Sequence, residues 1–158
     1  MSSQQAFTEA VEKVTSRIAG KPLDPSLQAF LNENFPPGGE AFDDLAELCR
    51  QGIEEGWLCD RDQGGIRFGR ILKPGPGTSG FSVDVVLMAD IRGPYHGHPQ
   101  GEIDMIIPEI AGARFDGSGQ GWLVYEAGSA HYPTVSDGKA IVLYLLPEGA
   151  IDFTLQAP

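Results

Sequence analysis

The hydrophobic pattern of this chain changes near Gly64, and this change constrains the fold more than any other feature. Before it, apolar residues recur at the 3.6-residue period of amphipathic helices. After it, short apolar runs alternate with Gly and Pro, which is typical of strands joined by turns. The length of 158 residues is ordinary for one domain. We therefore predict one structural domain, with a helical segment over residues 1–60 packed on a β-barrel over residues 61–158.

The first part of the chain predicts about three helices. The first is indicated by apolar residues that share one face, namely Phe7, Val11, Val14 and Ile18. The second is predicted to begin after Asp24, the N-cap, with Pro25 at the first helical position. The third is predicted to begin near Glu40, and its apolar stripe consists of Phe42, Leu45, Cys49 and Ile53.

The second part of the chain predicts a mainly β structure. Four runs, residues 81–88, 103–107, 121–125 and 140–146, have the length and composition of strands. The 21 Gly and 12 Pro residues of the chain favour many turns. Asp137-Gly138 lies between two apolar positions and predicts a hairpin turn there.

The charge balance excludes several classes of partner. Acidic side chains outnumber basic ones by 22 to 11, so the net charge is −11. The electrostatic field of this negative charge repels phosphate backbones and anionic membranes. Neither nucleic acid nor a membrane is therefore an expected partner. Charged residues interrupt the first 20 positions, which do not resemble a signal peptide. We expect a cytoplasmic protein whose two cysteines, Cys49 and Cys59, stay reduced.

All three histidines of the chain lie in two short segments. His96 and His98 are two residues apart, so both imidazoles project from one face of an extended strand. Glu102 has the same parity, and residues 99–101 can bend its carboxylate toward them. With His131, these ligands suit a divalent first-row metal and leave positions open for water or substrate. The alternative is a polar interior of hydrogen-bonded histidines without a metal.

These residues resemble the two motifs of the cupin superfamily. The matching positions are Gly93, His96, His98 and Glu102 for the first motif, and Gly128 and His131 for the second. Two features depart from the family pattern: the spacing between Gly93 and His96 is short, and Ala127 stands where a proline is common. The resemblance implies a double-stranded β-helix, or jelly-roll, barrel that forms a homodimer. It also implies that the four His and Glu side chains bind Fe, Mn or Zn.

At a finer level, the chain resembles the 4-hydroxylaminobenzoate lyase family. The similarity is carried by residues 95–103 and 128–133, and by residues 23–27 and 52–57 in the helical segment. It implies a carbon–nitrogen lyase of nitrobenzoate degradation that converts 4-hydroxylaminobenzoate into 3,4-dihydroxybenzoate and ammonia. Its catalytic residues would be Glu102 and His98, acting as acid, base or metal ligand.

An aromatic carboxylate substrate needs a cation and flat apolar walls. Arg70 is predicted to bind the carboxylate, with Arg67 as the alternative, because strand alternation places the two on opposite faces. Tyr95, Trp122 and Tyr132 are predicted to contact the aromatic ring, and the alternative for each is a packing role.

Two other functions fit the same cluster. A cupin dioxygenase would use these ligands to hold Fe(II) and bind oxygen. A non-catalytic binding protein would hold a small molecule without turnover. Asp104 shares the parity of Glu102, and we expect it to contact a residue of the cluster without binding the metal itself.

Overall fold

The computed structural model describes residues 1–158 as three α-helices, nine strands and a short 3-10 helix, Pro76–Thr78. The helices are α1 (Ser3–Ile18), α2 (Pro25–Asn34) and α3 (Glu40–Glu55). The strands are β1 (Arg61–Gln63), β2 (Ile66–Leu72), β3 (Phe81–Arg92), β4 (His96–His98), β5 (Glu102–Pro108), β6 (Arg114–Phe115), β7 (Gly121–Tyr125), β8 (Ser129–His131) and β9 (Thr134–Pro147). None of the three helices combines the length and the hydropathy that a membrane crossing requires.

Local sequence signals explain where the helices begin and end. The Asp24 carboxylate accepts a hydrogen bond from the backbone N–H of Leu27, and Pro25 occupies the first turn of α2. Helix α3 ends at Gly56, whose φ of 89° lies in the left-handed region that favours glycine. The predicted starts of α2 and α3 are confirmed.

Two antiparallel sheets form the β part of the molecule. The large sheet has the strand order β1-β2-β3-β9-β5-β7, with β6 paired to β9, and the small sheet consists of β4 and β8. Side chains from both sheets line one cavity between them. This is the mainly β, cupin-type barrel that the sequence predicts, preceded by three helices.

The helices cover the outer face of the large sheet. Their apolar stripes share one core with the outward side chains of β3, β5 and β9, such as Val85, Ile103 and Leu143. Helix α2 also satisfies the backbone of the edge strand β7, because Gln28 Oε1 accepts from Val124 N at 2.9 Å. The inner face of the large sheet is therefore left to line the cavity.

The predicted hairpin at Asp137-Gly138 is wrong, because both residues lie inside the continuous strand β9. Opposite them, the pairing of β3 with β9 shifts register between Ala89 and Ile91. Asp137 and Gly138 have φ angles of 61° and 138°, and Gly138 N donates to the Asp90 carboxylate at 3.1 Å. The Asp-Gly pair supplies the backbone conformation of a β-bulge, which favours the same residues as a tight turn.

Candidate active site

The predicted cluster is assembled from three strands of both sheets. His96 and His98 lie on β4, His131 lies directly opposite His96 on β8, and Glu102 begins β5. The chain turns between β4 and β5 at Gly101, whose φ is 91°. A Cβ there would lie 2.6 Å from the backbone oxygen of Tyr125, so only glycine fits.

One ligand atom of each of the four side chains points to a common centre. These atoms all lie within 4.8 Å of one another. The His96 and His131 Nε2 atoms are 3.1 Å apart, and Glu102 Oε2 lies 3.3 Å from His98 Nε2. If two nitrogens bind the same ion at about 2.1 Å and the angle between the two bonds is a right angle, the nitrogens lie about 3 Å apart. The cluster therefore has the dimensions of a metal site.

The outward nitrogens of the three imidazoles are all occupied by protein partners. His96 Nδ1 contacts the Pro94 carbonyl at 3.1 Å, His98 Nδ1 contacts Ser129 Oγ at 2.9 Å, and His131 Nδ1 contacts Asp116 Oδ2 at 2.6 Å. A carbonyl or carboxylate oxygen can only accept, so Nδ1 of His96 and of His131 carries a proton. Such partners commonly orient metal-binding histidines.

The inward Nε2 atoms of His96 and His131, in their neutral forms, consequently present lone pairs to each other. Burial lowers the pKa of His96, which favours its neutral form. His98 Nε2 is fully buried and has no aligned hydrogen-bond partner. Facing lone pairs and an orphaned buried nitrogen are unfavourable unless an electrophile lies between them. The donor set therefore fits a divalent metal ion, which is the cofactor expected from the sequence.

Two buried carboxyl groups, Glu102 and Asp104, lie side by side on β5. Burial alone would raise the pKa of Glu102, but the contacts with His98 and Asp104 hold it below its usual value. Burial and the neighbouring Glu102 charge raise the pKa of Asp104 well above its usual value. The opposite shifts of the two pKa values favour the ionised form of Glu102, the residue of the cluster, over the ionised form of Asp104.

A cavity of about 570 Å³ opens from this cluster between the two sheets. Its polar end contains Glu102, Asp104, His96 and His131. Its walls are apolar and include Ile66, Phe68, Val86, Met88, Phe115 and Val142. The segment after β9 crosses one side, where Ile151 and Phe153 also line the cavity and Asp152 pairs with the Gly97 backbone. Apolar walls with a few polar groups at one end are typical of small-molecule sites.

The structure does not bring Trp122 to the cavity, in contrast to its predicted substrate contact. Trp122 is paired with Met105 on the outer face of the sheet, and its indole N–H donates to the Phe35 carbonyl at 2.9 Å. Strand alternation turns Tyr125 inward instead, opposite Glu102. The aromatic side chain that β7 contributes to the cluster is therefore Tyr125.

Arg70, the residue predicted to bind the carboxylate, also lies away from the cavity lining. Its Nε is 3.2 Å from both carboxylate oxygens of Asp84. The alternative, Arg67, donates to the Cys59 carbonyl at 3.3 Å and does not line the cavity either. Both guanidinium groups therefore bind other parts of the protein and do not face the cavity.

Tyr95 and Tyr132 pack on each other, with ring centres 4.9 Å apart, and neither lines the cavity. Tyr95 directly precedes His96, and Tyr132 directly follows His131. Strand alternation therefore directs both tyrosines away from the metal-type centre. The guanidinium carbon of Arg92 lies 4.1 Å from the ring centre of Tyr132.

Two supporting residues of the site, Asp116 and Ser129, carry no recognisable signal in the sequence. Asp116 accepts hydrogen bonds from His131, from the Tyr125 hydroxyl at 2.5 Å and from Thr134 N at 2.9 Å. Ser129 orients His98 from the paired strand. Only the strand register, which places Ser129 opposite His98, could have identified one of them in advance.

We expect replacement of the partner of Arg70, Asp84→Asn, to flatten the pH dependence of stability. Burial raises the pKa of Asp84 to about 6, although Arg70 opposes the shift. Because the folded-state pKa lies above the unfolded value of 3.8, this group's stability contribution is greatest below that pH and is lost as the pH rises through about 6. The loss corresponds to about 3 kcal/mol.

Urea unfolding at pH 4 and pH 7 tests this expectation. The decrease in free energy of unfolding between the two pH values should be smaller in Asp84→Asn than in the unmodified protein. Asp62→Asn, a substitution at an exposed position of β1, is the control and should leave the decrease unchanged. An equal decrease in all three proteins would contradict the expectation.

Comparison with known proteins agrees with the resemblance seen in the sequence. A family model described as "PnbB: 4-hydroxylaminobenzoate lyase" matches residues 9–153. A Nocardioides relative named 4-hydroxylaminobenzoate lyase is 31% identical over 167 residues, covering 100% of this chain and 99% of its own. A relative of the same name from Pseudomonas putida is 33% identical, with 90% of each chain covered. Among solved structures, an RmlC-like cupin protein from Ralstonia eutropha matches with a TM-score of 0.42 and 15% identity, over 54% of this chain and 57% of its own.

Proposed function

The chain belongs to the 4-hydroxylaminobenzoate lyase family, and we propose that its cavity converts 4-hydroxylaminobenzoate into 3,4-dihydroxybenzoate and ammonia. The observation that carries the proposal at the level of the site is the inward Nε2 set of three histidines beside the ionised Glu102. This arrangement lies at the polar end of a cavity with apolar walls that suit an aromatic ring.

The reaction needs neither an oxidant nor a reductant. The N–O bond of the hydroxylamine breaks, and its oxygen leaves as water after protonation. One water adds to the ring carbon ortho to the carbon that bears the nitrogen, which leaves an imine at that nitrogen-bearing carbon. A second water then adds to the imine carbon. Ammonia then leaves, and loss of a ring proton restores the aromatic catechol. Two waters enter and one leaves, so the net change is one water added and one ammonia released.

The side chains of the cavity supply positions and protons for these steps. The carboxylate of Glu102 is held ionised and faces the inward nitrogens, so it is placed to accept a proton from an attacking water. His98 is fully buried beside it and offers a further nitrogen for proton transfer or ligation. A divalent ion, when bound by His96, His98, Glu102 and His131, would polarise an oxygen atom and increase the acidity of water.

Anaerobic turnover tests this function directly. We expect purified protein of measured metal content to release ammonia and 3,4-dihydroxybenzoate in equal amounts from 4-hydroxylaminobenzoate without oxygen. His98→Ala should abolish both products, because it removes a buried member of the cluster. Product formation only with oxygen would indicate a dioxygenase instead. No product with added Fe(II), Mn(II) or Zn(II) would contradict the lyase assignment.

A further inference from the structure

Arg92, at the end of β3, is the only lysine or arginine among the side chains that line the cavity. It makes none of the ion pairs found in the protein. Its guanidinium carbon lies 4.1 Å from the ring centre of Tyr132, a cation–π contact that fixes its position. Arg92 thus borders the cavity, its side chain is exposed, and its guanidinium has no carboxylate partner.

Apart from Arg92, the side chains that line the cavity include the carboxyl groups of Glu102 and Asp104, and the whole chain carries a net charge of −11. A substrate carboxylate at the end of the cavity away from the metal-type cluster therefore needs a cation of its own, because an unpaired charge is costly to remove from water. Arg67 and Arg70 bond to other parts of the protein, so neither supplies that cation.

We propose that Arg92 binds the carboxylate of the substrate at the rim of the cavity. The proposal rests on the proposed function, since it names the residue that binds the carboxylate end of the substrate proposed there. Arginine presents paired N–H donors that match the two oxygens of a carboxylate. With the carboxylate held at Arg92, the para substituent is directed away from the rim. The apolar walls then enclose the ring and the hydroxylamine faces the cluster.

Binding of 4-aminobenzoate, a stable analogue without the N–O bond, tests this role without turnover. We expect calorimetry to show binding to the unmodified protein, and Arg92→Gln to weaken it at least about tenfold. Arg92→Lys keeps the charge but not the paired donors, and should lie between the two. Arg61→Gln, a substitution at an exposed arginine of β1, is the matched control and should bind normally.

A neutral ligand separates carboxylate recognition from a change in cavity shape. We expect 4-aminobenzamide to bind weakly and equally to the unmodified protein and to Arg92→Gln. An equal weakening of both ligands by Arg92→Gln would overturn the proposal. The absence of 4-aminobenzoate binding to the unmodified protein would overturn it as well.

Kinetics with 4-hydroxylaminobenzoate distinguish this inference from the proposed function. We expect Arg92→Gln to raise KM at least about tenfold with kcat within a few-fold, because Arg92 lies away from the reacting nitrogen. Normal kinetics in Arg92→Gln, together with a raised KM in Arg70→Gln, would overturn the role of Arg92 but leave the lyase intact. Carboxylate binding that depends on Arg92, without any turnover, would support the role of Arg92 and contradict the lyase.

Discussion

Replacing Glu102 with Gln is expected to reduce kcat/KM by about a thousandfold or more. The side chain is 3% exposed, and its Oε2 lies 3.3 Å from His98 Nε2 and 3.7 Å from His131 Nε2. Gln keeps the shape but loses the negative charge that binds a cation and the basicity that accepts a proton. Loss of a general base alone typically costs 10²–10⁴-fold in rate.

Metal content and thermal stability are measured beside activity to identify the cause. Reduced metal with reduced activity would assign Glu102 mainly to ligation, and full metal with reduced activity would assign it to proton transfer. Glu126→Gln, a substitution at an exposed glutamate in the turn before β8, is the matched control. If Glu102→Gln were as active as this control, Glu102 would have no role in the reaction.

The sequence predicts those features that depend on local spacing. The 3.6-residue pattern of Phe7, Val11, Val14 and Ile18 describes the buried face of α1 as observed. The parity of His96, His98 and Glu102, with a bend before the last, is sufficient to place them together. In each case a short run of backbone determines the direction of the side chains.

Features that depend on strand register could not be predicted in the same way. Trp122 and Tyr125 occupy one short strand, and which of them faces inward depends on the pairing of that strand with β5. Asp137-Gly138 has the same backbone preferences in a hairpin turn and in a bulge, so local sequence cannot separate them. Asp116 reaches His131 across a loop, and no spacing rule connects the two.

Replacing Asp116 with Asn is expected to reduce kcat/KM by about 10- to 100-fold, the range found when a partner that orients a metal-binding histidine is removed. Asp116 Oδ2 accepts from His131 Nδ1 at 2.6 Å, which keeps the proton on Nδ1 and the lone pair of Nε2 directed into the cluster. An Asn amide that donates to Nδ1 would move the imidazole proton to Nε2. His131 would then no longer offer that lone pair to a cation.

Asn is the appropriate substitution because Asp116 has a φ of 48°, a left-handed conformation that Asn also tolerates. Asp90→Asn is the matched control, since Asp90 has a φ of 42° and lies at the bulge with Gly138. Tyr125→Phe removes only the second donor to Asp116 Oδ2 and should cost less than Asp116→Asn. If Asp116→Asn lowers thermal stability but keeps its metal and its activity, Asp116 supports the loop and not the tautomer of His131. A loss of metal affinity that Asp90→Asn does not share would instead show that one carboxylate outside the cluster sets the protonation state of a residue within it.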